Sequence, residues 1–217
     1  LHPTLLAQSV VDKYLNGLPL YRQEKMAARL DVELPRDKLA RAHIKLAETL
    51  QPLYNLCLDT LQDVDITGFD GTRLQVLKEP DRAPQRKSAL WLRRGGPPET
   101  PVVLLDYTAS ESGETIKTLL AGTHGYLVCD AAPSFKLAIE AYGLTAVLCN
   151  DHARRRFVEA MRGGKKKRIA SEAVQWYARL YGMEARIKGF PADRKHRVRQ
   201  RFTVPHWARF IAWARKR

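Results

Sequence analysis

The chain has 217 residues, 45% of them hydrophobic and 28% charged, a balance that suits a globular protein with one sizeable core and an appendage. No apolar run approaches the roughly 18 residues needed to span a membrane, and no signal peptide opens the sequence. The net charge of +14 is uneven: residues 1–150 sum to −1 and residues 151–217 to +15, which points the last third at a polyanion such as nucleic acid rather than at a neutral partner.

Opening on Leu1 rather than Met, the chain reads as a piece of a longer protein. Its first 60 residues have helical spacing throughout. Leu5, Leu6, Ser9, Val10 and Lys13-Tyr14 follow helical spacing, and Gly17-Leu18-Pro19 ends that helix. A second helix is expected over 20–30, and a longer one over 37–58 with a bend at Pro52. A helix, a turn and a helix bearing Arg36, Lys38, Arg41 and Lys45 fits either a DNA-reading unit or a bundle that packs on the next domain. The near-neutral charge of this segment favours packing.

From Val64 the pattern changes to alternation. Residues 66–77, 88–93 and 102–107 read as strands joined by short polar loops, an antiparallel meander. Residues 113–121 then form a helix, a short apolar strand ends at Asp130, and residues 134–142 form another helix. A fifth strand over 145–149 leads into a helix over 151–161. The order β-β-β-α-β-α-β-α describes an α/β domain with a mixed sheet. Gly163-Gly164-Lys165 lacks the spacing of a phosphate-binding loop, and residues 163–168 read as a basic link. A strongly periodic helix over 170–188 comes next, then a basic helix over 193–201 and an amphipathic segment after Pro205. Cys57, Cys129 and Cys149 stand singly in apolar surroundings, as buried small hydrophobes do in a reducing compartment.

Three carboxylates fall where structure alone does not call for them. Asp130 ends a buried strand, where a charge is costly unless compensated; a metal ion or a role as cap of the following helix would each account for it. Glu184 lies on the apolar stripe Ala173, Tyr177, Leu180, Tyr181 and Ile187, where an ion pair with Lys188 is the structural alternative to a metal. Asp70 interrupts an alternating run beside Gly71, and the strand pattern resumes at Leu74 and Val76, which argues against a hairpin turn. Hard oxygen ligands suit magnesium or manganese, and a pair of such ions roughly 4 Å apart can activate one oxygen and stabilise another in phosphodiester transfer. Asp151 and Asp106 are reserve ligands, and His152 is either a proton-transfer group or a helix-start residue.

The segments LPLYRQ (18–23), Asp70-Gly71-Thr72, LAGTHGYLVCDAAPSF (120–135), HARRRF (152–157) and LYGMEARIKG (180–189) occur in this order. Through them the chain resembles the transposases of the insertion sequence sixty-six group, bacterial enzymes with a ribonuclease H-like core and a DDE triad. The resemblance implies that Asp70, Asp130 and Glu184 form the triad and hold two divalent ions, Mg2+ or Mn2+. It implies three regions: a helical segment over 1–62, a ribonuclease H-like catalytic domain over 63–190 and a basic helical extension over 191–217. The expected activity is cleavage of transposon ends and joining of the 3′-hydroxyl to target DNA, by a homodimer on DNA at the bacterial nucleoid in the cytoplasm, with no membrane partner. Arg154, Arg155, Lys165, Lys166, Lys167 and Arg168 are the residues expected to grip phosphates. Around the first Asp, Gly71 and Arg73 replace the second acid and proline common in the group, and Cys149-Asn150-Asp151-His152 replaces Cys-Trp-Ala-His. The competing reading is an inactive or truncated copy that only binds DNA.

Overall fold

The computed structural model describes residues 1–163 and 167–217. Four helices open the chain: α1 (Pro3–Tyr14), α2 (Leu20–Ala28), α3 (Arg36–Thr49) and α4 (Gln51–Gln62). The single helix expected over 37–58 is two, broken at Leu50 with φ −88° and ψ 0°. Pro52 falls in the first turn of α4, where its missing N–H leaves no hydrogen bond unmade, so the proline starts a helix rather than bending one.

The meander is β1 (Ile66–Gln75), β2 (Lys87–Gly95) and β3 (Val102–Thr108), both pairings antiparallel. After it come α5 (Gly113–Leu119), β4 (Tyr126–Cys129), a 3-10 turn (Pro133–Phe135), α6 (Lys136–Tyr142) and β5 (Thr145–Leu148). The remainder is helical: α7 (Asn150–Gly163), α8 (Lys167–Arg186), α9 (Ala192–Val198), a π-helical turn (Arg199–Thr203) and α10 (Val204–Ala214). The strands form one sheet in the order β3-β2-β1-β4-β5. Backbone bonds from Thr145 N to Gly125 O and from Cys149 N to Cys129 O, both 2.8 Å, advance together along β4 and β5, the pattern of a parallel pair. The sheet is therefore mixed, as expected. Of the basic link expected over 163–168, Gly163 closes α7 and Lys167 and Arg168 begin α8, while residues 164–166 lie outside the described residues.

By its contacts the chain divides into two units, residues 1–127 with 136–145, and residues 128–135 with 146–217. In the first, the meander buries Phe69, Ala89, Trp91 and Leu104, and α5 and α6 bury Ile116 and Ala138. Gly71 is opposite Trp91 in the β1–β2 register, and a Cβ there would meet the indole ring at 2.5 Å. That contact explains the glycine inside a strand: the Asp-Gly pair is not a turn but a place where an aromatic ring lies flat on the backbone. Gly125 enters β4 at φ +71°, where a Cβ would sit 2.4 Å from the Asp65 carbonyl oxygen. α1, α2 and α3 pack on one another, α3 meets α4, and α4 packs on β3, the packing that the near-neutral charge of this segment favours.

A buried polar knot joins α1, α2 and α3. Ser9 Oγ donates to Gln23 Oε1 at 2.6 Å and lies 3.0 Å from His43 Nε2, while His43 Nδ1 has no partner among the described residues. Burial, and then repulsion from Lys13, lower the His43 pKa. A depressed folded-state value means that the unfolded chain binds the proton more readily. Stability from this site is therefore complete above the ordinary histidine value of about 6.5 and is lost as pH falls through the lower folded value. Urea unfolding at pH 7.5 and 5.5 should show a larger acid loss in the wild type than in His43→Gln; equal losses would remove His43 from the account.

In the second unit α8 packs against α7 and α10. Ala173, Tyr177, Leu180 and Phe210 are buried, with Phe157, Trp176, Tyr181, Met183, Trp207 and Trp213 against them. Phe210 stacks on Trp176 at 5.8 Å and meets Tyr177 edge-on at 5.1 Å. Of the amphipathic stripe expected after Pro205, Trp207 and Phe210 face this core, whereas Ile211 is 36% exposed. Trp213, three positions after Phe210, packs there instead.

Candidate active site

Asp70 sits in the middle of β1, on the face opposite buried Thr67 and Phe69, and is exposed. Its Oδ1 accepts the Gly71 N–H at 2.9 Å. Asp70 therefore breaks no buried row, because alternation puts it on the open face of the strand.

Asp130 is half-buried and lies one residue beyond β4. Its Oδ1 accepts the Ala132 N–H at 2.9 Å, closing the turn that leads into Pro133–Phe135. The capping role is thus real, and it occupies one carboxylate oxygen. Beside it, burial and then the Asp130 charge push the Cys129 thiol up to about 11, so Cys129 is the inert apolar filler expected of it.

Glu184 is in the last turn of α8, half-buried. The ion pair foreseen with Lys188 is not the one formed. Arg199 Nε donates to Oε1 at 3.0 Å and Arg199 Nη2 donates to Oε2 at 2.7 Å, a bidentate clamp from the π-helical turn. The bond to Glu184 raises the Arg199 pKa, so the guanidinium keeps its charge. Arg199 escaped the sequence reading because it is 15 positions from Glu184 and lies past a helix end. No sequence signal points to it: the π-helical geometry of its turn, a feature that recurs at functional sites, shows only in the structure.

Of the reserve ligands, Asp151 lies in the first turn of α7 and its Oδ1 accepts the Tyr181 hydroxyl at 2.6 Å. Burial, and then this bond, raise the Tyr181 pKa well above the ordinary phenol value. Asp106 is fully committed elsewhere. Its two oxygens take Arg93 Nε at 2.7 Å and Nη2 at 2.9 Å, and Oδ1 also accepts the Tyr54 hydroxyl at 2.5 Å, with Arg93 and Asp106 both buried. His152 is half-buried near the start of α7. Within each unit, among the described residues, no three His, Cys, Asp or Glu side chains are gathered as a metal cage.

Of the expected phosphate-binding residues, Arg154 is half-buried and Arg155 exposed on α7, and Lys167 and Arg168 are exposed in the first turn of α8. Arg168 Nε lies 3.4 Å from Glu172. Lys165 and Lys166 lie outside the described residues. The first turn of α8 carries no acid, so its exposed basic side chains favour an anion. No helix among the described residues is long and apolar enough to cross a membrane.

Comparison with known proteins adds a family to this geometry. The profile described as "Transposase IS66 family" matches residues 1–217. The uncharacterized protein y4jD of Sinorhizobium fredii is 30% identical over 213 residues, covering 93% of this chain and 41% of that protein. The uncharacterized proteins y4qI and y4hP of the same organism are 27% and 26% identical, over 90% and 99% of this chain. The chain thus spans about two-fifths of the length of these relatives.

Proposed function

The chain belongs to the IS66 family of transposases, and on that premise we propose that it forms the catalytic part of an enzyme that cuts transposon ends and joins their 3′-hydroxyls to target DNA. The family match over the whole chain carries this reading, and the concentration of positive charge after residue 150 supports it. The catalytic domain is assigned to residues 63–190, with a ribonuclease H-like fold; the mixed sheet and the β-β-β-α-β-α-β-α order are compatible with it. Asp70, Asp130 and Glu184 are the proposed ligands of two Mg2+ or Mn2+ ions. The donor set fits, since all three offer hard carboxylate oxygens and Asp130 has a second oxygen beyond the one its turn uses.

When bound, the ions would supply an activated oxygen nucleophile and stabilisation of the leaving oxygen. The chain's own residues have other tasks. Asp130 is aimed by the Ala132 N–H and by a buried strand end, so its carboxylate keeps one direction. Tyr181 ties the start of α7 to the helix that carries Glu184. Arg155, Lys167 and Arg168 hold phosphates without reading sequence, and Arg154 backs them from a half-buried position. Two copies would act as a homodimer on paired ends, at the bacterial nucleoid in the cytoplasm.

One observation favours the competing reading, a DNA-holding protein without catalysis: both oxygens of Glu184 are taken by an arginine. Incubation of labelled element ends and a target plasmid with Mg2+ or with EDTA separates the two. Metal-dependent nicking and joined products are expected; DNA binding with neither product, in Mg2+ or Mn2+, would leave only the holding role.

A further inference from the structure

We propose that Arg199 holds the Glu184 carboxylate in place of a divalent cation, and that when the cation binds there the guanidinium is released to take a DNA phosphate. This rests on Glu184 being a metal ligand. The atoms that argue for it are the oxygens themselves: Arg199 Nε lies 3.0 and 3.2 Å from Oε1 and Oε2, and Nη2 lies 2.7 Å from Oε2. A cation and the guanidinium would need the same lone pairs, so both cannot hold them at once. An arginine does not give way by losing its proton; it has to move.

The surroundings let it move. The side chains of Arg199 and Glu184 are 50% and 34% exposed, so the pair sits at a rim rather than in the core. A pocket of about 360 Å³ opens beside them, bordered by Asn150, Tyr181, Thr203 and Trp207. Thr203 Oγ1 is buried there with no partner among the described residues. Arg199 also opens the π-helical turn between α9 and α10, where backbone hydrogen bonds are irregular and the geometry is held by its surroundings.

The arrangement has a use for a cation in either state. Glu184 lies in the last turn of α8, next to the negative end of the helix dipole, where a carboxylate is disfavoured without a positive partner. Arg199 meets that need here. Once displaced, it joins Arg194, Lys195, Arg197 and Arg201 on the same stretch of chain, where a phosphate is the obvious anion. Metal loading and grip on DNA would then be coupled through one side chain.

Calorimetric titration of Mn2+ or Mg2+ into the whole chain, with folding checked by circular dichroism, tests the first half. Arg199→Ala should bind the ion roughly two- to fivefold more tightly than wild type, the range that a half-exposed ion pair commands, with Arg199→Lys between them. Salt-dependent binding of a random-sequence duplex in EDTA tests the second. Glu184→Gln should steepen the slope of log K against log salt by about 0.9, one phosphate contact, and should do so only when Arg199 is present. An equal gain in the Arg199→Ala background would be a general charge effect and would overturn the exchange. Metal binding lost in Glu184→Gln but equal in wild type and Arg199→Ala would also overturn it while sparing the metal-ligand reading. Metal binding indifferent to Glu184→Gln would remove both.

Discussion

Asp130→Asn is expected to lower end cleavage and joining by a factor on the order of 10³ while leaving DNA binding within about twofold, the scale on which one charge-stabilising group acts in a transition state. The substitution is chosen because it separates chemistry from folding. Asparagine keeps an Oδ1 that can accept the Ala132 N–H, so the turn into Pro133–Phe135 survives. What it removes is the negative charge, and with it most of the attraction for a divalent ion. Replacement by alanine would lose both and could not be interpreted. Labelled element ends, run on denaturing gels beside a binding assay at matched salt, provide the measurement. Equal cleavage by wild type and Asp130→Asn would end the assignment of Asp130, and binding lost in parallel with cleavage would mean that the variant had misfolded.

Asp106→Ala is expected to cost about 3–5 kcal/mol of stability, because it strands a buried guanidinium. Arg93 keeps the Leu119 carbonyl, at 2.9 Å from Nη1, and the Tyr54 hydroxyl, at 3.2 Å from Nη2, but neither carries charge. Tyr54 loses its acceptor in the same step. Burial, and then its bond to Asp106, raise the Tyr54 pKa, consistent with a hydroxyl that stays protonated and donating. Urea unfolding gives the number. A loss under about 1 kcal/mol would mean that water reaches the arginine. The paired replacement Arg93→Met with Asp106→Leu should recover most of the loss, since two apolar groups leave no charge to satisfy.

These two acids show how far a sequence can be read. Asp130 and Asp106 look alike along the chain, each at the end of an apolar strand and each a conceivable ligand. The difference lies in partners that come from far away: Asp106 meets Tyr54 across 52 positions and Arg93 across 13. Periodicity locates strands well because side-chain alternation is local, and all five strands stand within about two residues of where the pattern puts them. It has no access to which charge faces which. Glu184 makes the same point: the pattern puts it on the buried stripe and it is half-buried, but the cation one helical turn on, Lys188, lost to Arg199.

By itself the sequence determined the alternation of strands and helices, the crowding of positive charge into the last third and the family, because each depends on residue order or composition alone. The tertiary structure decided which carboxylates are spoken for. It gave Asp106 to a buried arginine, turned one oxygen of Asp130 to a backbone N–H, placed Asp70 on the open face of its strand and closed a guanidinium over Glu184. The physical reason is range: helix and strand periods are set by neighbours a few residues apart, whereas an ion pair forms wherever folding brings opposite charges within about 4 Å, however much chain lies between them.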